Sequence, residues 1–283
     1  MRPARSGLAA LLTCLAMAGF AGMDAMSKLL MRDYPVVQML WVRYIVFTGF
    51  AMLVAGRHVS LRSARPWLQA GRGVLALAEN AVFVLAFAFL PLADTHAIAA
   101  TSPLLVIALS VAFLGETAGL HRWLAVLASF AGVLLIIRPG FQSMSWPLTI
   151  PLAGALLWAI YQILTRLTAR ADKMETTLLW TAVSGLVGTS LLVPWFWVAP
   201  SPAAWALLAG VGVFGSLANF ALIKALDHAE AGAIQPYAYT LLLWATMLGF
   251  LVFGDLPDAW TMIGGAVVVL SGLYTWNRDR LGV

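Results

Sequence analysis

Three ionisable side chains fall inside long apolar runs of this 283-residue sequence: Asp24, Arg43 and Glu79. A charge at the centre of a membrane-spanning helix costs about 2.5–3.5 kcal/mol on insertion scales, so each such residue is a functional candidate by default. With about 1.5 Å of rise per residue, Asp24 lies roughly 9–10 Å from the far end of its run, Arg43 about 12 Å and Glu79 about 16 Å. The three share a depth band, and a carboxylate beside an arginine keeps its charge at lower cost. Three chemistries fit: a permanent structural ion pair, a carboxylate that exchanges a proton, and direct binding of a charged solute group.

Uncharged groups at similar depth widen the candidate site. Asn80 and Asn219 are amides that need partners because lipid offers none; solute contact and helix-to-helix hydrogen bonding both satisfy that need. Trp158, Tyr161 and Gln162 fall within about one helical turn, and Gln235, Tyr237 and Tyr239 cluster around Pro236. Such a wall of rings and amides suits planar or amphipathic solutes. Trp195 and Trp197 sit at the end of a run and read as interface-belt residues.

Several chemistries are excluded. The single cysteine, Cys14, allows no disulfide framework or cysteine-based metal site. The four histidines, His58, His96, His121 and His228, fall at expected loops or helix ends and far apart, so neither a metal centre nor a cofactor is expected. No phosphate loop, nucleophile elbow or zinc-binding histidine pair occurs, which leaves a membrane enzyme as a minor alternative. The +5 charge is scattered in ones and twos between apolar runs, which argues against nucleic acid.

The elements that must position these residues follow from composition. Some 62% of residues are apolar and 10% charged, with a mean hydropathy of +0.90; soluble domains run near half and a quarter. Apolar runs broken at Pro, Gly and charge predict ten transmembrane helices near 7–31, 35–56, 67–90, 93–114, 119–138, 149–170, 175–198, 203–226, 231–253 and 258–277. The fold class is all-α, a polytopic membrane bundle. Arg2 and Arg5 before Leu8–Gly22 have the form of a signal peptide, but the apolar pattern continues to Leu30 and reads as the first span. Counting basic residues at helix ends and loops puts thirteen of seventeen, Arg72 among them, on the side that carries both termini. That side is expected to be cytoplasmic.

An internal repeat is visible at spacings of 138–140 residues: Asp24/Gln162, Lys28/Arg166, Asn80/Asn219, Gly115-Glu116/Gly254-Asp255 and Gly132/Gly272. Residues 1–140 and 141–283 then form two five-helix repeats. An odd number of crossings per unit forces the second copy to enter from the opposite face, so the architecture is a 5+5 inverted repeat, the plan by which many secondary transporters build two exchangeable states around a midplane site. The ionisable positions of the first copy are neutral in the second, with Gln162, Thr181 and Ala218 at the places of Asp24, Arg43 and Glu79.

The stretch Leu90-Pro91-Leu92-Ala93-Asp94, the following Ala97–Leu104, Leu114-Gly115-Glu116 and Gly132–Pro139, echoed by Phe253-Gly254-Asp255 and Leu270-Ser271-Gly272, resembles the drug/metabolite transporter superfamily in its ten-helix EamA-type branch. The resemblance covers essentially the whole chain. It implies two EamA repeats, cytoplasmic termini, a central cavity lined mainly by helices 1, 3, 4, 6, 8 and 9, and transport without ATP hydrolysis; Asp255 departs from the glutamate often found there. It also implies a bacterial inner-membrane location.

Together these readings predict secondary-active or facilitative transport of a small organic metabolite, aromatic or zwitterionic, such as an amino-acid derivative or a flavin. One repeat is expected to rock against the other, with protons as the candidate coupling ion and a monomer or homodimer in the bilayer. A lipid or headgroup flippase on the same scaffold is the alternative. Pro103 and Pro236 are candidate bending points, and Lys28 and Arg166 are expected to snorkel toward the interface.

Overall fold

The computed structural model describes residues 3–56, 60–115, 119–137, 146–169, 171–228 and 237–281, which form helices and no strand. The helices are α1 (Pro3–Leu30), α2 (Val36–Ala55), α3 (Pro66–Ala86), α4 (Leu92–Ala99), α5 (Ser102–Leu114), α6 (Leu120–Ile137), α7 (Thr149–Ala169), α8 (Met174–Leu192), α9 (Pro202–His228), α10 (Thr240–Leu248) and α11 (Ala259–Leu281). Eight helical segments are long and apolar enough to cross a membrane, and two shorter apolar ones, Trp123–Ile136 and Thr240–Phe253, complete ten. Large side chains such as Leu53, Phe113 and Leu120 stand 82%, 75% and 75% exposed, which only a lipid surround tolerates at this density.

The fourth span is not the single helix expected over 93–114. It breaks at Ala100–Thr101 into α4 and α5, immediately before Pro103, a residue that supplies no N–H and so fits only the first turn of a helix. The carbonyls freed by the break are taken up locally, by the Thr101 hydroxyl donating to Ile98 O at 2.7 Å and by Ser102 donating to Ala99 O. Irregular backbone at membrane depth requires that kind of local satisfaction. The ninth span breaks in the same way at Tyr239, where the Thr240 hydroxyl donates to Tyr237 O at 2.6 Å. These two bonds are 139 residues apart at both ends. Gln235, Pro236, Glu116 and Arg138 lie outside the described residues.

Other features repeat at the same spacing. The Asn80 amide donates to Ala76 O at 2.7 Å, and Asn219 donates to Gly215 O at 2.9 Å. Gly115 and Gly254 end α5 and the π-helical turn after α10 with φ of 68° and 72°, a left-handed conformation that glycine adopts without a Cβ penalty.

Helix packing obeys the same exchange. The first span lies on the eighth and the sixth on the third; the second touches the eighth as the seventh touches the third; the first meets the ninth as the sixth meets the fourth. The second and seventh spans pair with each other, as do the fifth and tenth. Two bundles result, one of spans 1, 2, 8 and 9 and one of spans 3, 4, 6 and 7, and each takes helices from both halves of the sequence. Met23, Leu30, Met39, Leu40, Val42, Leu208 and Val211 are buried together in the first bundle.

The fifth and tenth spans cross through two glycines. A Cβ on Gly264 would stand 2.5 Å from Gly132 O and 2.6 Å from Ile136 Cγ1, so small residues on the two spans let their backbones meet within the chain. Gly71 meets nothing within 4 Å. Gly264→Leu is expected to cost about 1–3 kcal/mol by overpacking and to lower the melting temperature in detergent, whereas Gly71→Leu should leave it nearly unchanged. Equal melting curves for the two variants would refute a tight crossing.

On the face that carries the termini, Asp172 latches two connections together. It accepts from the Ser63 hydroxyl at 2.5 Å, from the Ala64 N–H at 2.8 Å and from Gln69 Nε2 at 2.8 Å. Partial desolvation opposes the charge, but the hydrogen bonds from Ser63, Gln69 and Ala64, with help from Arg65, win and hold the carboxyl below the usual range. A depressed folded-state value means that the latch stabilises fully above the ordinary carboxylate value of about 3.9 and loses its contribution as pH falls through the lower one. Wild-type melting should therefore drop more steeply than that of Asp172→Asn on acidification below about pH 4, read by thermal scans in detergent.

Candidate functional site

The polar interior is built where α1, α2, α3, α4 and α7 approach one another. Glu79 is buried on α3, with the Arg43 guanidinium and the Asp24 carboxylate both within electrostatic reach. No ion pair shorter than 4 Å joins these three among the described residues. Arg43 projects from α2 toward α9, where its Nε would lie 3.7 Å from a Cβ on Gly215. Next to it, Tyr44 is buried, with its ring filling the space that a side chain at Gly185 would need and its hydroxyl facing Asn80.

The close partner of Asp24 is a residue the spacing analysis set aside. His96 Nε2 stands 3.1 Å from Asp24 Oδ2, and the two side chains are only 7% and 12% exposed. The distance is that of an ion pair, but the ring is not aligned for a hydrogen bond. His96 sits about one turn inside the Leu92 end of the fourth span. Because the fourth span breaks early, it occupies the middle of the short helix α4, with Phe87 against its ring at 6.0 Å between centroids.

Arg72 corrects a second expectation. Counted among the basic flanks, it is instead 1% exposed and seven residues into α3. Its Nη1 donates to the Tyr161 hydroxyl at 2.9 Å, its Nε to Gln69 Oε1 at 3.2 Å, and its Nη2 to Thr181 Oγ1 at 2.7 Å and to the Thr177 carbonyl. Four of the five N–H groups of the guanidinium fork thus meet neutral acceptors on three spans. The nearest carboxylate in the chain of bonds is Asp172, reached through Gln69. The guanidinium carbon also lies 5.2 Å from the Tyr161 ring centroid.

Tyr161 in turn stacks on Trp158, with centroids 5.4 Å apart and planes at 27°. Trp158 is 38% exposed, so the stack presents one open aromatic face beside the buried cations. Gln162 follows on the same helix, half-buried. The residues of the second copy do not all join this group. Tyr239 is docked on the tenth span, its hydroxyl filling the position of a Gly272 Cβ; Tyr237 is exposed, and Asn219 is half-buried on α9. Gln235 lies outside the described residues.

Lys28 reaches toward the end of the ninth span and finds a counterion there. It forms a 2.7 Å ion pair with Asp255 and lies 4.6 Å above the Phe253 ring, closing the first span onto the end of the ninth. Arg72 carried one usable sequence signal: it lies seven residues before Glu79, on the same helical face. The acceptors Thr177 and Thr181, more than a hundred positions away, carried none.

A model of the EamA-like transporter family matches the chain twice, over residues 7–138 and 145–276. A riboflavin transporter of Rhizobium johnstonii is 28% identical over 99% of this chain and 94% of its own. A pseudopaline exporter of Pseudomonas aeruginosa is 30% identical over 92% of this chain and 93% of its own. One crystal structure, 20% identical, superposes with a TM-score of 0.64 over 95% of this chain and 99% of the other, which shows a shared fold. With a ten-span inverted repeat matched in both copies, the chain belongs to the EamA-like transporter family, within the drug/metabolite transporter superfamily.

Proposed function

We propose that this membrane transporter moves a small, planar aromatic or zwitterionic metabolite by alternating access, with a flavin as the leading candidate. The observation that carries the mechanism is the matching hydroxyl-to-carbonyl bond at the breaks of the fourth and ninth spans, on opposite sides of the exchange that relates the two bundles. Two structures related by an inverted repeat can each adopt the other's conformation, which gives one site two accesses. Because every close helix pair except the minor ones joins the two sequence halves, the moving bodies in this reading are the mixed bundles and not the sequence repeats themselves.

Support for the substrate class comes from the open Trp158 face, stacked on a Tyr161 whose hydroxyl is fixed by Arg72. An aromatic solute laid on that face would gain stacking, while Asn80, Gln162 and Asn219, with Gln235 and Tyr237 from the ninth span, would supply shape and hydrogen bonds. Asp24, Arg43 and Glu79 supply the charge. The relatives named as a riboflavin transporter and a pseudopaline exporter support a small organic solute, the first of them a flavin. The basic residues Arg62, Arg65, Lys173 and Arg278 gather at the end of the bundle that holds the termini, which supports a cytoplasmic placement for both.

Uptake of riboflavin into proteoliposomes is the direct test, run beside amino acids, nucleoside-like solutes and a labelled phospholipid. Saturable flavin uptake is expected, and Trp158→Ala should raise the half-saturation concentration roughly 2–10-fold, the equivalent of about 0.5–1.5 kcal/mol of lost stacking. Trp195→Ala, at the span end, should behave as wild type. Scrambling of lipid without solute uptake, or indifference to Trp158→Ala, would overturn this assignment.

A further inference from the structure

An ionisable contact crosses from one mixed bundle to the other, and sequence patterning selects only one of its two members, Asp24. Asp24 belongs to the first span and His96 to the fourth, so their 3.1 Å approach crosses from one bundle to the other. Ala25, Phe87, Leu92 and Ala245 are buried around it. Both side chains are removed from solvent.

The inverted repeat supplies a comparison within the same chain. At the spacings of 138 and 139 residues, Asp24 corresponds to Gln162 and His96 to Gln235. A tie whose task is only to hold spans together can be made of two amides, and the second copy has that pair in its sequence. The first copy places a carboxylate and an imidazole there, at the cost of burying ionisable groups. Imidazole is the side chain that exchanges protons near neutral pH, and a carboxylate next to it is a natural acceptor for the same proton.

We infer that Asp24 and His96 form a proton-binding site whose occupancy makes and breaks the tie between the two bundles. With imidazolium facing carboxylate, opposite charges draw the first and fourth spans together. Removal of one proton leaves a lone buried carboxylate beside a neutral ring, and addition of one leaves a lone imidazolium beside a neutral acid; each weakens the tie and favours separation. His96 lies four residues before the break at Ala100–Thr101, so the force acts on the short arm of a discontinuous helix.

The surrounding charges define the setting. From α3 comes Glu79, within electrostatic reach of Asp24; from α2, Arg43; on α1 itself, Lys28, already committed to Asp255; and on α4, Asp94. α10 carries no titratable side chain, and those of α6, α9 and α11 are confined to one end of each helix. α7 contributes Tyr161, bonded to Arg72.

The inference rests on the proposed transport by bundle motion, and two readouts separate their failures. The first needs no substrate: acid-induced infrared difference spectra of the purified chain in lipid vesicles. Wild type is expected to show a carboxyl and an imidazole signal, the carboxyl lost in Asp24→Asn and displaced along the pH axis in His96→Gln. Spectra unchanged by both variants overturn the inference.

The second readout is riboflavin accumulation under an imposed pH gradient. Wild type should concentrate the flavin, whereas Asp24→Asn/His96→Gln, which recreates the amide pair of the second copy, should fold and only equilibrate it. Accumulation by the double variant at the wild-type level, or gradient-independent equilibration by wild type, overturns the inference. If wild type moves no riboflavin, the substrate reading fails and the spectra alone decide the proton site. If none of the three variants is monodisperse in detergent, the pair is a structural tie and the inference falls.

Discussion

Lipid donates and accepts no hydrogen bonds, and that constraint shapes every departure from a plain bundle of ten helices. A backbone group left open in hydrocarbon costs several kcal/mol, so a span can be interrupted only where side chains close the gap. Thr101 and Ser102 do this in the fourth span and Thr240 in the ninth. The same rule governs the amides. Asn80 and Asn219 each turn one N–H back onto their own helix, which leaves the carbonyl and the second N–H as groups that something else must meet. Two glycines in left-handed caps finish the corresponding helices. Repetition of these devices at one spacing shows that the inverted repeat is preserved where backbone geometry demands it.

Charge is distributed differently from backbone geometry. Asp24, Arg43, Glu79, Arg72 and His96 all come from the first copy, and their partners in the second are neutral: Thr177, Thr181 and Tyr161. A buried charge without a close counterion persists only if its hydrogen-bonding capacity is met. Arg72 shows how far this can go, with four neutral acceptors in its fork and a carboxylate at one remove. A lysine there would keep the charge but lose the fork geometry that reaches three spans at once. The outcome is a bundle whose helix pairing repeats between the two copies while its buried ionisable groups, among the described residues, come from the first copy.

Much of the architecture was legible in the residues. Span number follows from apolar length, and the inverted plan follows from Asn80/Asn219 and Gly115/Gly254, because polar and glycine positions inside apolar runs are too costly to recur by accident. The site was legible only in part. His96 was assigned to a helix end because it lies one turn from the start of its apolar run; Pro103 marked the bend, but nothing in the run showed that Asp24 would stand opposite the ring. Arg72 was read as flanking charge because basic residues near helix ends usually snorkel, and its true acceptors are more than a hundred positions away. Tyr239 was grouped with the substrate wall although Gly272, one of the matched glycines, leaves the space into which its hydroxyl fits. Patterns within one helix are readable from spacing; the pairing of side chains across helices requires the packing.

The packing also bears on how such a chain can move. If each sequence repeat were a compact body, their relative rotation would break few contacts, but here the close pairs are 1 with 8, 3 with 6 and 2 with 7, all between repeats. Rotation of whole repeats would tear the best-packed surfaces in the molecule, including the Gly19–Ala218 contact, where an added Cβ would stand 3.0 Å from its neighbour. Dividing the structure into spans 1, 2, 8 and 9 against spans 3, 4, 6 and 7 leaves those surfaces inside each body. What then crosses the division includes the 2–7 pair, the meeting of the broken fourth and ninth spans, Tyr44 facing Asn80, and Asp24 with His96, while the 5–10 pair stands outside both bodies. Of these, the 5–10 pair is locked by interpenetrating glycines and the 2–7 pair by the buried Tyr44 ring over Gly185, so both suit pivots. The meeting of the broken spans is lined instead by the small buried cluster of Ala25, Phe87, Leu92 and Ala245, with Asp24 and His96 beside it.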